Sequence, residues 1–369
     1  MMTDITVKFF ELVRYVINEG YKAPQIETDD WEPIFDIARK QCILGIVFES
    51  VLRMGQDATI PRQLKMKWFF MVNKIQNRNM LLNKRCVELA EMFHQDGFDS
   101  CVLKGQGNAM MYPNPYLRTS GDIDLFVMKK GEEMSINERR DLVMSYVRNK
   151  FPQMGIRYQL ISYHVFPDVE VGIHFLPTFV NNPLYNCRIQ TWMEKQIKEQ
   201  CQNIVELPNG VGRIAVPTIK FNIVFLLAHM MRHFFDEGIG LRQFMDYFFL
   251  LKKAKEKNVV RNEELEGLFR YLGLWKFAGA TMYVMREVFA LEDVFLIAPV
   301  DERRGSTLLA EILSGGNFGH YSGLRAHSTG GKYFAKVWRN LHFAHEYPAE
   351  ALCEPVFRTW HFFWRLKHS

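Results

Sequence analysis

The segment Gly121–Val127, GDIDLFV, is the main sequence signal for the fold of this chain. Its apolar residues form a short run bounded by glycine and polar residues, which is the pattern of a buried β-strand. Side chains alternate between the two faces of a strand, so Asp122 and Asp124 project from one face while Ile123 and Leu125 project from the other. Mg²⁺ takes one or two carboxylates from a protein together with waters and substrate phosphates. We therefore predict that these two aspartates bind metal.

A glycine-containing turn precedes this stretch. Residues Lys104–Gly107, KGQG, follow the strand-like run Cys101–Leu103 and lead into a helical-looking segment. Glycines between a strand and a helix can leave backbone amides available to a phosphate. In such a site Gly105 would offer its backbone amide to the triphosphate and Lys104 would add a positive charge. Gln106 could donate a hydrogen bond to a phosphate through its side-chain amide. Glycine at such a turn serves tight geometry as often, so the triphosphate site remains one of two interpretations.

Hydrophobic periodicity divides the chain into three regions. We predict an α+β fold with a helical N-terminal region at 1–96, a core with a small mixed sheet at 97–210 and a helical C-terminal region at 211–369. Pro61 predicts the start of a long helix that ends near Gln95. The other predicted strands lie at 157–161, 164–166 and 169–175, and the C-terminal helices lie near 218–233, 240–255, 262–271, 275–289 and 306–313.

Composition excludes several classes of protein. With 48% hydrophobic and 24% charged residues, the chain of 369 residues is typical of a globular protein and not of a disordered one. A net charge of +5 is compatible with phosphate-bearing ligands and does not require nucleic acid. The most apolar stretch, Phe221–Met231, is too short to cross a bilayer, and the N-terminus lacks a secretory signal. We predict a cytoplasmic protein with no membrane partner.

Three segments together resemble the uncharacterised nucleotidyltransferase family of the polymerase-beta-like superfamily, namely Val102–Gly105, Tyr112–Arg118 and Gly121–Val127. The resemblance continues in Ile173–Pro177, His229–Tyr247 and Gly315–Gly319. It implies a polymerase-beta-like nucleotidyltransferase core whose glycine turn binds the triphosphate of an NTP and whose paired carboxylates hold two Mg²⁺ ions. It also implies that Arg118 contacts phosphate or supports the site. The reaction implied is transfer of a nucleoside monophosphate to a hydroxyl acceptor, with release of pyrophosphate.

The chain departs from the family pattern at the third metal ligand. The resemblance implies a carboxylate two residues before His174, where this sequence has Gly172. Its loss would weaken a second metal site and remove the base for the attacking hydroxyl. Glu170 shares the same strand face and is a candidate replacement, the alternative being an exposed strand residue. The other function that we consider is therefore a catalytically degraded protein that binds nucleotide or a protein partner in a regulatory role.

The helical C-terminal region offers further candidates. Arg242 and Asp246, four residues apart, could form an ion pair that aims Arg242 at an anionic substrate, or a purely structural pair. His229 and His233 have the spacing of a metal pair, but their apolar neighbours favour packed histidines. The aromatic and basic segment Phe357–Lys367 has helical spacing and predicts a docked terminal helix, so nucleic-acid binding is left open but not indicated.

Overall fold

The computed structural model describes residues 3–317 and 337–368, and within them helices surround a small mixed sheet. The N-terminal region consists of α1 (Asp4–Ile17), α2 (Trp31–Lys40), α3 (Leu44–Met54) and α4 (Arg62–Gln95). Helix α4 begins directly after Pro61, whose missing amide costs nothing at a helix start. It ends at the predicted position, where Gly97 adopts a positive φ of 82° and turns the chain into the sheet.

The sheet contains β1 (Phe98–Val102), β2 (Ile123–Lys129), β3 (Leu160–Ser162) and β4 (Val171–His174), in the order β1-β2-β4-β3. Strands β2 and β4 run parallel, while β1 and β3 pair antiparallel to their neighbours. The register places Asp124 opposite Gly172. The strand predicted at 164–166 is wrong, because the amide of Tyr163 donates to the carbonyl of Val171 and the intervening residues form a loop.

Helix α5 (Gln106–Ala109) follows the glycine turn, and α6 (Ile136–Lys150) follows β2. Downstream of β4 lie α7 (Pro183–Glu194), α8 (Ile197–Gln200) and the hairpin of β5 (Ile204–Glu206) and β6 (Arg213–Ala215). The C-terminal helices are α9 (Ile219–Asp236), α10 (Leu241–Glu256), α11 (Asn262–Leu272), α12 (Trp275–Phe289), α13 (Glu302–Gly315) and α14 (Pro348–His368). The helices predicted from periodicity are therefore present. The predicted domain boundaries stay predictions, and that at 210 falls within the hairpin.

Two hydrophobic cores stabilise this arrangement. The smaller core lies between the sheet, α4 and α6, and the larger one joins the N-terminal helices to the C-terminal helices. Polar contacts reinforce the larger core, since Asn18 Nδ2 donates to the carbonyl of Phe289 at 2.8 Å and Gln41 Nε2 to that of Ile312 at 2.8 Å. The two helical regions, distant in sequence, thus share one core. None of the helices within the described ranges is long and apolar enough to span a membrane.

Candidate functional site

A pocket with a volume of about 250 Å³ lies between the start of β2 and helices α9 and α10. Most of the predicted site residues line it, namely Lys104, Gly105, Arg118, Asp122, Asp124 and Arg242. They reach the pocket from separate elements, because the glycine turn follows β1, the aspartates lie at the start of β2, and Arg242 belongs to α10. Tertiary folding therefore brings together the residues that the sequence singled out at three separate places.

Asp124 is a buried carboxylate whose two oxygens both accept hydrogen bonds. Lys104 Nζ lies 2.7 Å from Oδ2, and His174 Nε2 lies 2.7 Å from Oδ1. Burial alone would raise the pKa of Asp124, but the charges and hydrogen bonds of Lys104 and His174 hold this pKa well below its usual range. His174 Nδ1 lies 3.1 Å from the carbonyl of Leu176. Asp124 is thus ionised, with Lys104 on one oxygen and His174 on the other.

Asp122 immediately precedes β2 and remains accessible to solvent at the pocket. The negative charge of Asp124 raises the pKa of Asp122, and the protein atoms around it add to this effect. Lys104 and Arg242 oppose the shift. The pair of aspartates is therefore electrostatically strained, and an additional cation at the pocket would relieve that strain.

Position 172 faces Asp124, as the resemblance implies. A Cβ added to Gly172 would lie 3.4 Å from Asp124 Oδ1 and 3.7 Å from His174 Nε2. Any side chain at this position would therefore point at Asp124, and in this chain that space holds no carboxylate. The third carboxylate that the resemblance implies is thus absent at the position facing Asp124.

Glu170 does not replace the missing carboxylate. It precedes β4, its side chain is exposed, and it is not among the residues that line the pocket. Its backbone carbonyl accepts a hydrogen bond from the amide of Ile123 at 3.0 Å, which fixes the end of the parallel pairing. The expectation that Glu170 joins the aspartates is therefore corrected. Across residues 3–317 and 337–368 there is no group of three or more His, Cys, Asp or Glu placed to hold a metal ion.

The glycine turn has the backbone geometry expected of it. Gly105 adopts a φ of +60°, a conformation that favours glycine, and Lys104 extends into the pocket. Lys104 Nζ also lies 3.2 Å from His229 Nε2. A lysine has only donors, so this ring nitrogen accepts, and burial followed by the charge of Lys104 lowers the pKa of His229 well below its usual value. His229 is thus a packed, neutral histidine, as predicted.

Gln106 has a different role from the predicted one. Its side chain is buried, and Nε2 donates to Asn83 Oδ1 at 2.5 Å and to the carbonyl of Asn79 at 3.3 Å, both on α4. It does not line the pocket. The side-chain amide therefore anchors the glycine turn to α4, which corrects the expectation that it donates to a phosphate.

Arg118 and Asp246 form a buried ion pair. Arg118 Nε and Nη2 each donate to a different oxygen of Asp246 at 2.7 Å, and the Tyr112 hydroxyl donates to Oδ1 at 2.6 Å. The expected partner of Asp246 was Arg242, but the guanidinium that pairs with both of its oxygens is that of Arg118. The expectation that Asp246 orients Arg242 is therefore corrected. Arg242 Nη1 instead donates to the carbonyl of Thr119 at 3.0 Å. Arg242 also lines the pocket.

Three charged residues that line the pocket were missed by sequence reasoning, namely Arg157, Arg232 and Glu237. Glu237 continues the four-residue spacing of His229 and His233 on α9, and His233 Nδ1 lies 3.7 Å from it. That spacing was the signal that could have identified it. Arg157 lies in the loop before β3, and no local pattern marks it.

Comparison with known proteins identifies the family of this chain. A family model described as an uncharacterised nucleotidyltransferase matches residues 27–290, which include α4, the sheet, the pocket and the helices up to α12. Neither the curated proteins nor the solved structures gave a significant match. Of the segments that carry the resemblance, Gly315–Gly319 lies beyond the matched range, and its residues 318 and 319 lie outside those described. The chain belongs to the uncharacterised nucleotidyltransferase family.

Proposed function

We propose that this protein is a Mg²⁺-dependent nucleotidyltransferase that transfers a nucleoside monophosphate from an NTP to a hydroxyl acceptor and releases pyrophosphate. The observation that carries the proposal is the convergence of Asp122 and Asp124 with Lys104 and Arg242 in one pocket. Paired carboxylates at the start of a buried strand suit a divalent cation, and the two basic side chains suit the phosphates. Family membership supports the same general chemistry.

The residues present fit one Mg²⁺ ion. Two carboxylates completed by phosphate oxygens and water are a usual donor set for this ion, and the raised pKa of Asp122 marks a place where added positive charge is favourable. When bound, the ion would polarise the phosphoryl group and neutralise charge that develops on it. A second ion remains a prediction, since Gly172 leaves the third position without a ligand.

The chain's own residues divide the remaining tasks. Arg242 would bind the phosphates through its guanidinium. The flexible side chain of Lys104 would move its ammonium group from Asp124 to a phosphate oxygen. His174 continues to hold Asp124 in place, since it approaches the other oxygen. Glu237 is a carboxylate of the pocket that lies outside the aspartate pair and the Arg118–Asp246 ion pair. We assign to Glu237 the acceptance of the proton from the attacking hydroxyl.

Pyrophosphate release tests the proposal. The wild type would be assayed with Mg²⁺, each NTP and a panel of hydroxyl acceptors, beside Asp124→Asn and Glu237→Gln. Glu263→Gln, an exposed change in the first turn of α11, is the matched control. We expect turnover in the wild type and the control, none in Asp124→Asn, and retained NTP binding with slower turnover in Glu237→Gln. Equal turnover in Asp124→Asn would overturn the proposal.

A second candidate function is nucleotide binding without turnover. Two observations favour it, since Gly172 removes a ligand and Lys104 and His174 already contact the two oxygens of Asp124. This candidate predicts saturable NTP binding and no pyrophosphate with any acceptor. Gly172→Asp separates the two functions, because it adds a carboxylate beside Asp124. A degraded site would gain Mn²⁺ affinity and turnover from that change, whereas an intact site would already turn over without it.

A further inference from the structure

The candidate pocket opens toward two further cavities. One of about 850 Å³ shares Arg157, Gln159, Arg232 and Glu237 with it. A third cavity of about 540 Å³ shares Phe362 and Arg365 with the second. Each cavity thus shares lining residues with the next. We call the cavities of about 850 and 540 Å³ together the groove. Each has the size of a complete small-molecule site, so the groove suits an extended acceptor better than a compact one.

Aromatic side chains form one wall of the groove. Helix α14 docks through Phe357 and Trp364, whose ring centroids lie 5.2 and 6.2 Å from that of Tyr158, as its helical spacing predicted. Docking leaves Phe362 and Phe363 exposed by 51% and 64% at the groove. Exposed flat rings beside a cavity are surfaces on which bases or other aromatic groups stack.

The charges of the groove favour an anion. Among the described residues, three acidic side chains line the groove: Asp236, Glu237 and Glu354. Arg358 holds two of them, with Nη2 2.9 Å from Asp236 and Nε 2.6 Å from Glu354, while Glu237 lies at the junction with the candidate pocket. Arg157, at the junction with the candidate pocket, is exposed, and its guanidinium has no hydrogen bond or ion pair to any residue in 3–317 or 337–368. Arg365 lines the junction between the two outer cavities. A guanidinium therefore stands at each junction.

We propose that the groove binds the end of a single-stranded nucleic acid as the acceptor, with its terminal 3′-hydroxyl in the candidate pocket. The bases stack on Phe362 and Phe363, and the backbone phosphates contact Arg157 and Arg365. Exposed rings and guanidinium groups line the same extended groove, which is the complement of a chain that carries both bases and phosphates. This inference rests on the proposed function and supplies its acceptor class.

The chemical step balances with the groups named. The 3′-hydroxyl oxygen forms a bond to the α-phosphorus of the NTP, and the bond from that phosphorus to the α–β bridging oxygen breaks. The bridging oxygen leaves with pyrophosphate, and the hydroxyl proton passes to the carboxylate of Glu237. The product is a strand longer by one nucleotide.

Fluorescence anisotropy with labelled single strands of about 12 nucleotides tests the proposal. RNA and DNA strands of the same mixed sequence are measured separately, so that the affinities show which of the two nucleic acids the groove prefers. We expect saturable binding that weakens with salt, and a loss of about 5-fold or more in Phe362→Ala and in Phe363→Ala. Arg157→Ala should lower the salt slope by about 0.7. Phe70→Ala and Arg62→Ala, exposed changes on α4, are the matched controls and should bind as the wild type does.

The outcomes separate this inference from the proposed function. Binding of a strand by Asp124→Asn, which cannot turn over, supports the groove independently of catalysis. Absence of strand binding, or strand binding that the groove variants leave unchanged, overturns the inference even where pyrophosphate is released with a small acceptor. Strand binding without pyrophosphate from any acceptor supports the groove and counts against the proposed function alone.

Discussion

Asp124 and Asp246 are both buried carboxylates with a basic group 2.7 Å away, yet their surroundings differ. Asp246 and its partner Arg118 have side chains exposed by only 5% and 6%, and Tyr112 adds a further hydrogen bond. The partner of Asp124 is Lys104, whose side chain is exposed by 23% and lies in the pocket. The fold closes off the Arg118–Asp246 pair, whereas Lys104 lies in the pocket, where a ligand of the proposed function would reach it.

The choice of cation follows the same division. Arginine offers a planar fork that fits a carboxylate in two places, which suits a permanent link between α10 and the segment before β2. Lysine offers a compact charge on a flexible stem, which can move from a carboxylate to a phosphate. The Arg118–Asp246 pair thus positions the strand that carries the aspartates, and the proposed function assigns the Lys104–Asp124 pair to the chemistry.

The largest expected effect is on the closed pair. Arg118→Met leaves Asp246 buried with its main partner removed, and such a loss costs about 3–5 kcal/mol of the free energy of unfolding. Urea denaturation measures this cost. The double variant Arg118→Met/Asp246→Leu removes both charges and should recover most of the loss. A cost below about 1 kcal/mol for the single variant would show that the pair is not the permanent link we describe.

A third buried carboxylate extends the comparison. Glu350 accepts hydrogen bonds from the backbone amides of Asn181 and Asn182, but burial dominates and raises its pKa from 4.5 to about 7. A carboxyl group whose pKa is raised by folding stabilises the fold below its unfolded value, and this contribution is lost as the pH rises through the folded value.

Relative to Glu350→Gln, the wild type should therefore lose roughly 3 kcal/mol of unfolding free energy between about pH 4 and about pH 8. The size of this loss follows from the gap between the folded and unfolded pKa of Glu350, since a tenfold change in proton affinity corresponds to about 1.4 kcal/mol. Urea titrations of both proteins across this range measure the difference. If the unfolding free energies of the two proteins changed in parallel with pH, the pKa of Glu350 would not be raised.

A smaller effect is expected at the Lys104–Asp124 pair. Lys104→Met removes one of the two side chains that contact the oxygens of Asp124, and His174 remains. The free energy of unfolding should fall by about 1–3 kcal/mol, less than in Arg118→Met. The same variant should bind Mn²⁺ more tightly in the absence of nucleotide, because Lys104 no longer competes for the carboxylate. Unchanged Mn²⁺ affinity would show that Lys104 does not occupy the cation position.

The smallest effect is expected at Asp122, where stability should increase. Its pKa is raised by the neighbouring charge of Asp124, so the ionised form of Asp122 opposes folding above its unfolded pKa. Asp122→Asn should melt at a higher temperature than the wild type at neutral pH, and the gap should close in acid where Asp122 is protonated in both states. Scanning calorimetry at the two pH values measures this gap. A lower melting temperature at neutral pH would contradict the electrostatic strain that we describe.

Much of the fold could be predicted because its signals are local. The period of the apolar residues located α4 and the helices from α9 to α13, and the short apolar run in Gly121–Val127 located β2. What could not be predicted depends on contacts between distant segments. The shared core of the two helical regions is one example, since it brings Asn18 to Phe289. A sequence period reports which face of a helix is buried and not which partner buries it.

The site divides in the same way. Asp122, Asp124 and Lys104 could be predicted to lie together because residue spacing and the glycine turn mark them, and all three line the pocket. The position of Gly172 beside Asp124 followed from the family pattern. The partner of Asp246 was misassigned because helical spacing favours the residue four positions away, whereas Arg118 arrives from another segment with better geometry. Glu170 was misplaced because strand parity fixes a face but not where the strand begins.

Mn²⁺ binding, followed by electron paramagnetic resonance with a non-hydrolysable triphosphate present, tests whether Asp122 and Asp124 hold a divalent cation together with the nucleotide. We expect Asp122→Asn and Asp124→Asn each to raise the Kd for Mn²⁺ by at least about 10-fold, and Glu263→Gln to leave it unchanged. Equal Mn²⁺ affinity in the wild type and both aspartate variants would contradict this expectation.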